Sequence, residues 1–117
     1  MAADGKPPKP EASVLTQLSL SNLARHVDDG MWLGMYLNIP TGTIVNFKND
    51  YNRLGWTDAE LAEHILLYWK SMRVAARDKD KVAELERAIR DIEKIEIADT
   101  LGDRFRNNQE LTTDCFN

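Results

Sequence analysis

A chain of 117 residues, 43% apolar and 29% charged, is long enough for one domain with its own core and needs no disulfide or metal staple. Fifteen Lys and Arg against nineteen Asp and Glu leave a net charge of −4, which argues against a domain built mainly to neutralise phosphates. Cys115 is the single cysteine, so a disulfide framework is excluded, and no apolar run resembles a membrane span or a secretory signal.

Residues 1–13 hold Pro7, Pro8 and Pro10 with Lys6 and Lys9 among them, which removes amide donors and fixes φ, so a helix cannot start there. This stretch reads as a flexible lead. The folded body is expected over residues 14–102, and residues 103–117 read as a frayed polar tail. Leu15, Leu18, Leu20, Leu23, Ala24 and Val27 recur at helical steps and predict a first helix near 14–27. Asp28, Asp29 and Gly30 break it. Trp32, Leu33, Met35, Tyr36 and Leu37 form a short second helix that must end before Pro40, which disfavours helical geometry in Ile39.

Thr41 is placed to cap a third helix carrying Ile44, Val45 and Phe47, and Asn49 to Gly55 reads as a turn-rich connection. Thr57 with Glu60 is a capping box, and Leu61, Ile65, Tyr68, Trp69 and Met72 trace one face of the fourth helix behind it. Arg77 to Lys81 reads as a charged turn. Val82, Leu85, Ile89 and Ile92 define the fifth helix, with Glu86 and Arg90 paired on its solvated side. Ile97, Leu101 and Phe105 align along a sixth, for which Gly102 is a plausible earlier stop. No strand alternation competes. The expectation is an all-α, six-helix antiparallel bundle.

No catalytic set emerges. His26 is followed by Asp28 and Asp29 at a helix end, where acids cap or solvate, and no nucleophile accompanies them. His64 lies one turn after Glu60 beside the apolar face and reads as a border residue. His26, His64 and Cys115 lack metal-ligand spacing, so no metal or cofactor is expected. Trp32, Trp56 and Trp69 read as core, with Trp56 a hydrophobic staple before the capping box.

The charge map is more informative. Lys70, Arg73, Arg77, Lys79 and Lys81 cluster where the fourth helix gives way to the fifth, with only Asp78 and Asp80 among them. Asp91, Glu93, Glu96, Asp99 and Asp103 cluster where the fifth gives way to the sixth, with only Lys94 among them. A fifth helix ~20 Å long holds the two apart by more than a Debye length. Helix dipoles account for part of this arrangement; the remainder invites a partner that supplies the opposite charge. A patch satisfied only on another copy makes a head-to-tail contact that propagates into rings or helices.

The order of these elements resembles the death-domain superfamily over about residues 15–102. The segment Ala62 to Lys70 is similar to the family's fourth-helix ending Leu-x-x-Trp. Val82 to Ile92, followed by Ile97-Ala98-Asp99-Thr100-Leu101, is similar to its closing pattern, and Leu33-Gly34-Met35-Tyr36-Leu37-Asn38-Ile39 to its second helix. One departure stands out: the family carries a tryptophan three residues before that leucine, where this chain has Gly30. Either the second helix starts differently, or Trp32 fills the same core position from a shifted backbone. Caspase-recruitment and death-effector folds are close relatives of the same architecture.

The resemblance implies a bundle of death-fold type and no catalysis. It implies homotypic or heterotypic assembly with other death-fold domains in apoptotic or innate-immune signalling, in the cytoplasm and without direct membrane contact. Carried over, Lys70, Arg73, Arg77, Lys79 and Lys81 form one face, Asp91, Glu93, Glu96 and Asp99 its counterpart, and Asp28 and Asp29 a third candidate. The competing class is a helix-turn-helix nucleic-acid binder with the third helix as reader, yet Thr41 to Asp50 offers Lys48 alone as a cation. A gel shift at low salt separates the two.

Overall fold

The computed structural model of the chain describes residues 11–116. Among them lie a 3₁₀ turn, Ser13–Leu15, and six α-helices: α1 Gln17–Ala24, α2 Gly30–Tyr36, α3 Thr41–Leu54, α4 Asp58–Met72, α5 Asp78–Asp91 and α6 Ile95–Arg106. No strand occurs among the described residues. The all-α, six-helix architecture agrees with the sequence expectation.

The best-signalled helix is the central one. Thr57 Oγ1 accepts from the Glu60 amide and Glu60 Oε1 accepts from the Thr57 amide, so the capping box closes in both directions. Those bonds hold the Glu60 carboxyl below its ordinary pKa, the Thr57 backbone amide contributing most. Helices α1, α2 and α3 pack on α4, and α5 packs on α6 and on α2. The core gathers Leu20, Leu23, Leu33, Ile44, Ile65, Leu66, Trp69, Leu85, Ile89 and Leu101, all with no solvent exposure. Gly30 lets α2 approach α4 closely, because a Cβ there would meet the Ala62 Cα at 3.2 Å.

Four helices stop in the same way. Asn38, Gly55, Glu93 and Asn108 adopt positive φ, and the next residue's amide returns to a carbonyl five positions back. Examples are Ile39 to Gly34 at 3.0 Å and Lys94 to Ile89 at 3.1 Å. This is the hydrogen-bonded left-handed closure of a helix C-terminus.

Several expectations need correction. The span near 14–27 divides into the 3₁₀ turn and α1, because Thr16 is extended and caps Ser19; Leu18 points outward, 61% exposed. The break after α1 falls at residues 25–29, with Gly30 already the first residue of α2, and Trp32 is 54% exposed, so it fills no core position. Pro40, not Thr41, precedes α3, and that helix continues through the polar Asn49 to Leu54 because Phe47 and Tyr51 pack onto the core. Asp78 to Lys81 form the first turn of α5 instead of a free turn. Gly102 does not stop α6; it sits where α6 crosses α5, and a Cβ there would lie 3.0 Å from Glu86 Oε2.

Both ends of the described residues are docked further than composition suggests. Pro7, Pro8 and Pro10 fall outside the described residues, but the Ala12 amide donates to Asp78 and Glu11 pairs with Lys70 at 2.7 Å. The tail expected to fray is held by Leu111, which is fully buried. Its amide donates to Ser19 Oγ at 3.0 Å and its carbonyl accepts from Asn22 Nδ2 at 2.9 Å. Phe116 then packs against His26, ring centroids 5.0 Å apart.

Candidate functional site

The two charged clusters lie at opposite ends of the fourteen-residue α5, one running from the end of α4 into its first turn and the other from its last residue into α6. Their internal chemistry differs. At the basic end Lys70 pairs with Glu11, Arg73 with Glu84 at 3.4 Å, Arg77 with Asp80 at 3.1 Å and Lys81 with Asp78 at 3.4 Å. Lys81 is also 8% exposed, which removes it from the face the sequence assigned to it. Lys79 is exposed and without an ion-pair partner among the described residues. The expectation that Asp78 and Asp80 are the only acids beside this cluster is therefore corrected: Glu11 and Glu84 come from outside the segment, which spacing along it does not reveal.

Exposed pairs of this kind are weak, and a neighbouring carboxylate can replace the internal one at small cost. Arg77 is the most available, its side chain 82% exposed. Arg73 is different. Its Nε is buried with no hydrogen-bond partner, and its acid Glu84 also accepts from the indole of the core Trp69. Arg73 is thus tied to the core as well as to the corner.

At the acidic end Asp29, Asp91, Glu93 and Glu96 are exposed and have no ion-pair partner among the described residues. Asp99 is held by Arg90 at 2.6 Å, and the same guanidinium reaches Glu86 at 3.0 Å. That double acceptance, from Asp99 first, pushes the Arg90 pKa further up. Lys94 reaches back to Asp28 at 3.3 Å and ties the loop after α1 to the turn after α5. Asp28 and Asp29, a separate candidate by sequence, therefore adjoin the acidic end. One cleft there is lined by Asp29, Trp32, Tyr36, Asp91, Ile92 and Glu93.

That cleft carries what sequence reasoning missed. Trp32, Met35 and Tyr36 are 54%, 41% and 44% exposed and form the outer face of α2. A helix of seven residues that is apolar nearly all round cannot bury every face, which is the signal that was available. Beyond Tyr36 the groove continues between α2 and α5 past Arg87 to Glu84.

Glu93 holds an unusual backbone. Its φ of 66° is the left-handed region that glycine or asparagine normally occupies at a helix end. Glu93→Gly is expected to raise stability by roughly 1 kcal/mol, read as an upward shift in thermal midpoint, because the Cβ penalty of that conformation disappears. A lowered midpoint would show that the side chain contributes to the fold.

Elsewhere the chemistry is local. His26 stacks on Phe116, while His64 stacks on Trp56 at 3.9 Å between centroids and shares its Nδ1 with the Glu60 carbonyl. No three His, Cys, Asp or Glu side chains converge as a metal site among the described residues. On α3, Lys48 lies over the Tyr51 ring at 4.3 Å and Arg53 pairs with Asp50. No described helix is long and apolar enough to cross a membrane. Comparison with protein-family models, curated proteins and solved structures finds no match for this chain.

Proposed function

We propose that this chain is a non-enzymatic interaction domain that assembles signalling complexes through homotypic, death-domain-like contacts between charged corners. The observation that carries the reading is the acidic end of α5. Asp29, Asp91, Glu93 and Glu96 stand exposed there without an ion-pair partner among the described residues, while Arg73, Arg77 and Lys79 gather at the opposite end of a rigid helix. A single molecule cannot bring the two together; a row of copies can. Charge complementarity of this type steers encounter and sets register, with affinity left to the apolar centre of the contact. The order of the helices and the Leu-x-x-Trp close of α4 add support from resemblance.

Arg77→Glu tests the reading. The side chain is 82% exposed and pairs with Asp80, so the helical circular-dichroism signal is expected to stay unchanged. Self-association in low-salt buffer, followed by light scattering, is expected to weaken by about tenfold. Unaltered association would make the basic corner ordinary solvated surface. Arg73→Glu is the poorer probe, because it sets a second carboxylate beside Glu84 and disturbs the Trp69 hydrogen bond.

A further inference from the structure

Leu18 on α1 and Val45 and Leu54 on α3 are exposed away from the charged clusters, but two other groups of exposed apolar residues stand at the same two corners. On the acidic side, Trp32 and Tyr36 lie with ring centroids 6.4 Å apart on the outer face of α2, beside Met35. On the basic side, Val74 is the most exposed large apolar residue of the described chain, at 80%, with Met72 at 39% close to it. Val74 sits in the loop between α4 and α5, flanked in sequence by Arg73 and Arg77. An apolar knob with cations around it thus stands at one end of α5, and an aromatic face with carboxylates around it at the other.

We infer that the Trp32–Tyr36 face receives the Val74 loop of a second copy of this chain, in a head-to-tail contact. Arg77 of the incoming loop and Lys79 in the first turn of α5 behind it meet Asp29, Asp91 and Glu93 on the rim, and the aromatic pair supplies the centre. Trp, Tyr and Arg are the residue types that concentrate binding energy in protein contacts, and an Arg guanidinium near the Trp32 face gains cation–π attraction as well. The acidic rim sets the polarity: it rejects a second acidic rim, so two α2 faces do not pair with each other. The contact is heterologous, leaving each copy with one free knob and one free face, and growth continues. This inference rests on the self-assembly reading above and assigns that assembly its apolar centre.

Trp32→Ala and Val74→Asp test it, both at exposed positions where the fold has little to lose. Each variant alone is expected to associate at least about tenfold more weakly than wild type in sedimentation velocity at low salt. Mixed one to one, they are expected to form a heterodimer and nothing larger. The Trp32→Ala chain keeps its Val74 loop, the Val74→Asp chain keeps its aromatic face, and the single good contact cannot propagate. A mixture that stays monomeric overturns the head-to-tail assignment, as does a Val74→Asp chain that assembles like wild type. If both variants assemble normally while Arg77→Glu does not, the charged-corner reading stands and this centre is wrong. If wild type itself never associates, both fall together.

Discussion

Trp69→Ala is expected to be the most damaging single substitution in the core, costing about 3–5 kcal/mol. Trp69 is fully buried in α4, and its indole Nε1–H donates to the Glu84 carboxylate on α5. Truncation therefore opens the largest side-chain void in the core and also strips Glu84 of its donor, leaving that carboxylate with Arg73 alone. Against a total stability of about 5–15 kcal/mol for a domain of ordinary size, the variant sits near its folding threshold at room temperature. Chemical denaturation followed by far-ultraviolet circular dichroism reads the loss. Trp69→Phe keeps most of the packing and removes the donor, so it is expected to lose only about 1–3 kcal/mol. A cost below about 1 kcal/mol for the alanine variant would mean that α4 and α5 are not joined through this residue.

Leu111→Ala is expected to cost about 2 kcal/mol or more, although composition places this residue in a disordered tail. The side chain has no exposure, and its amide and carbonyl are bonded to Ser19 and Asn22 of α1. The loss is bounded above by the free energy of docking the tail, since the segment can detach while the helices remain folded. Leu18→Ala is the matched control. Its helical spacing suggests core, yet at 61% exposure its truncation is expected to change stability by less than about 0.5 kcal/mol. Thermal melts of the two leucine variants side by side check the pair, and equal effects would contradict the packing of both ends of the chain.

These two leucines show how far the sequence is readable. Periodicity states that Leu18 lies on a helix of apolar steps, but not where the helix begins; Thr16 caps α1 and rotates Leu18 outward. Isolated apolar residues such as Leu111 carry no period at all, so their burial depends on tertiary contacts that no local window contains. The capping box at Thr57 and the steps of Val82, Leu85 and Ile89 were legible because each rests on neighbours within a few residues. Gly102 misleads for the opposite reason: a glycine that ends helices elsewhere serves here as the place where α5 and α6 come close.

The candidate site was partly legible in the same sense. The sequence places cations where α4 gives way to α5 and acids where α5 gives way to α6, and these stretches lie at the two ends of α5. It does not reveal that Glu11 and Glu84 attend the cations, nor that Asp29 joins Asp91 and Glu93 around Trp32. Both depend on helix packing: Glu11 reaches α4 through the docked segment before α1, and Asp29 reaches the end of α5 because α2 packs on that helix. Trp32 itself reads as core by residue type and becomes surface because Leu33 and Gly34 take the inner side of α2.

In the assembly proposed above, opposite charges at the two ends of α5 hold copies of this chain together. Sedimentation velocity of the wild-type protein at about 0.01 M and about 1 M salt tests it directly, since the Debye length falls from about 30 Å to about 3 Å between them. Species larger than a monomer are expected at low salt, shifting towards monomer at high salt. A protein that sediments as a monomer in both buffers would contradict that assembly.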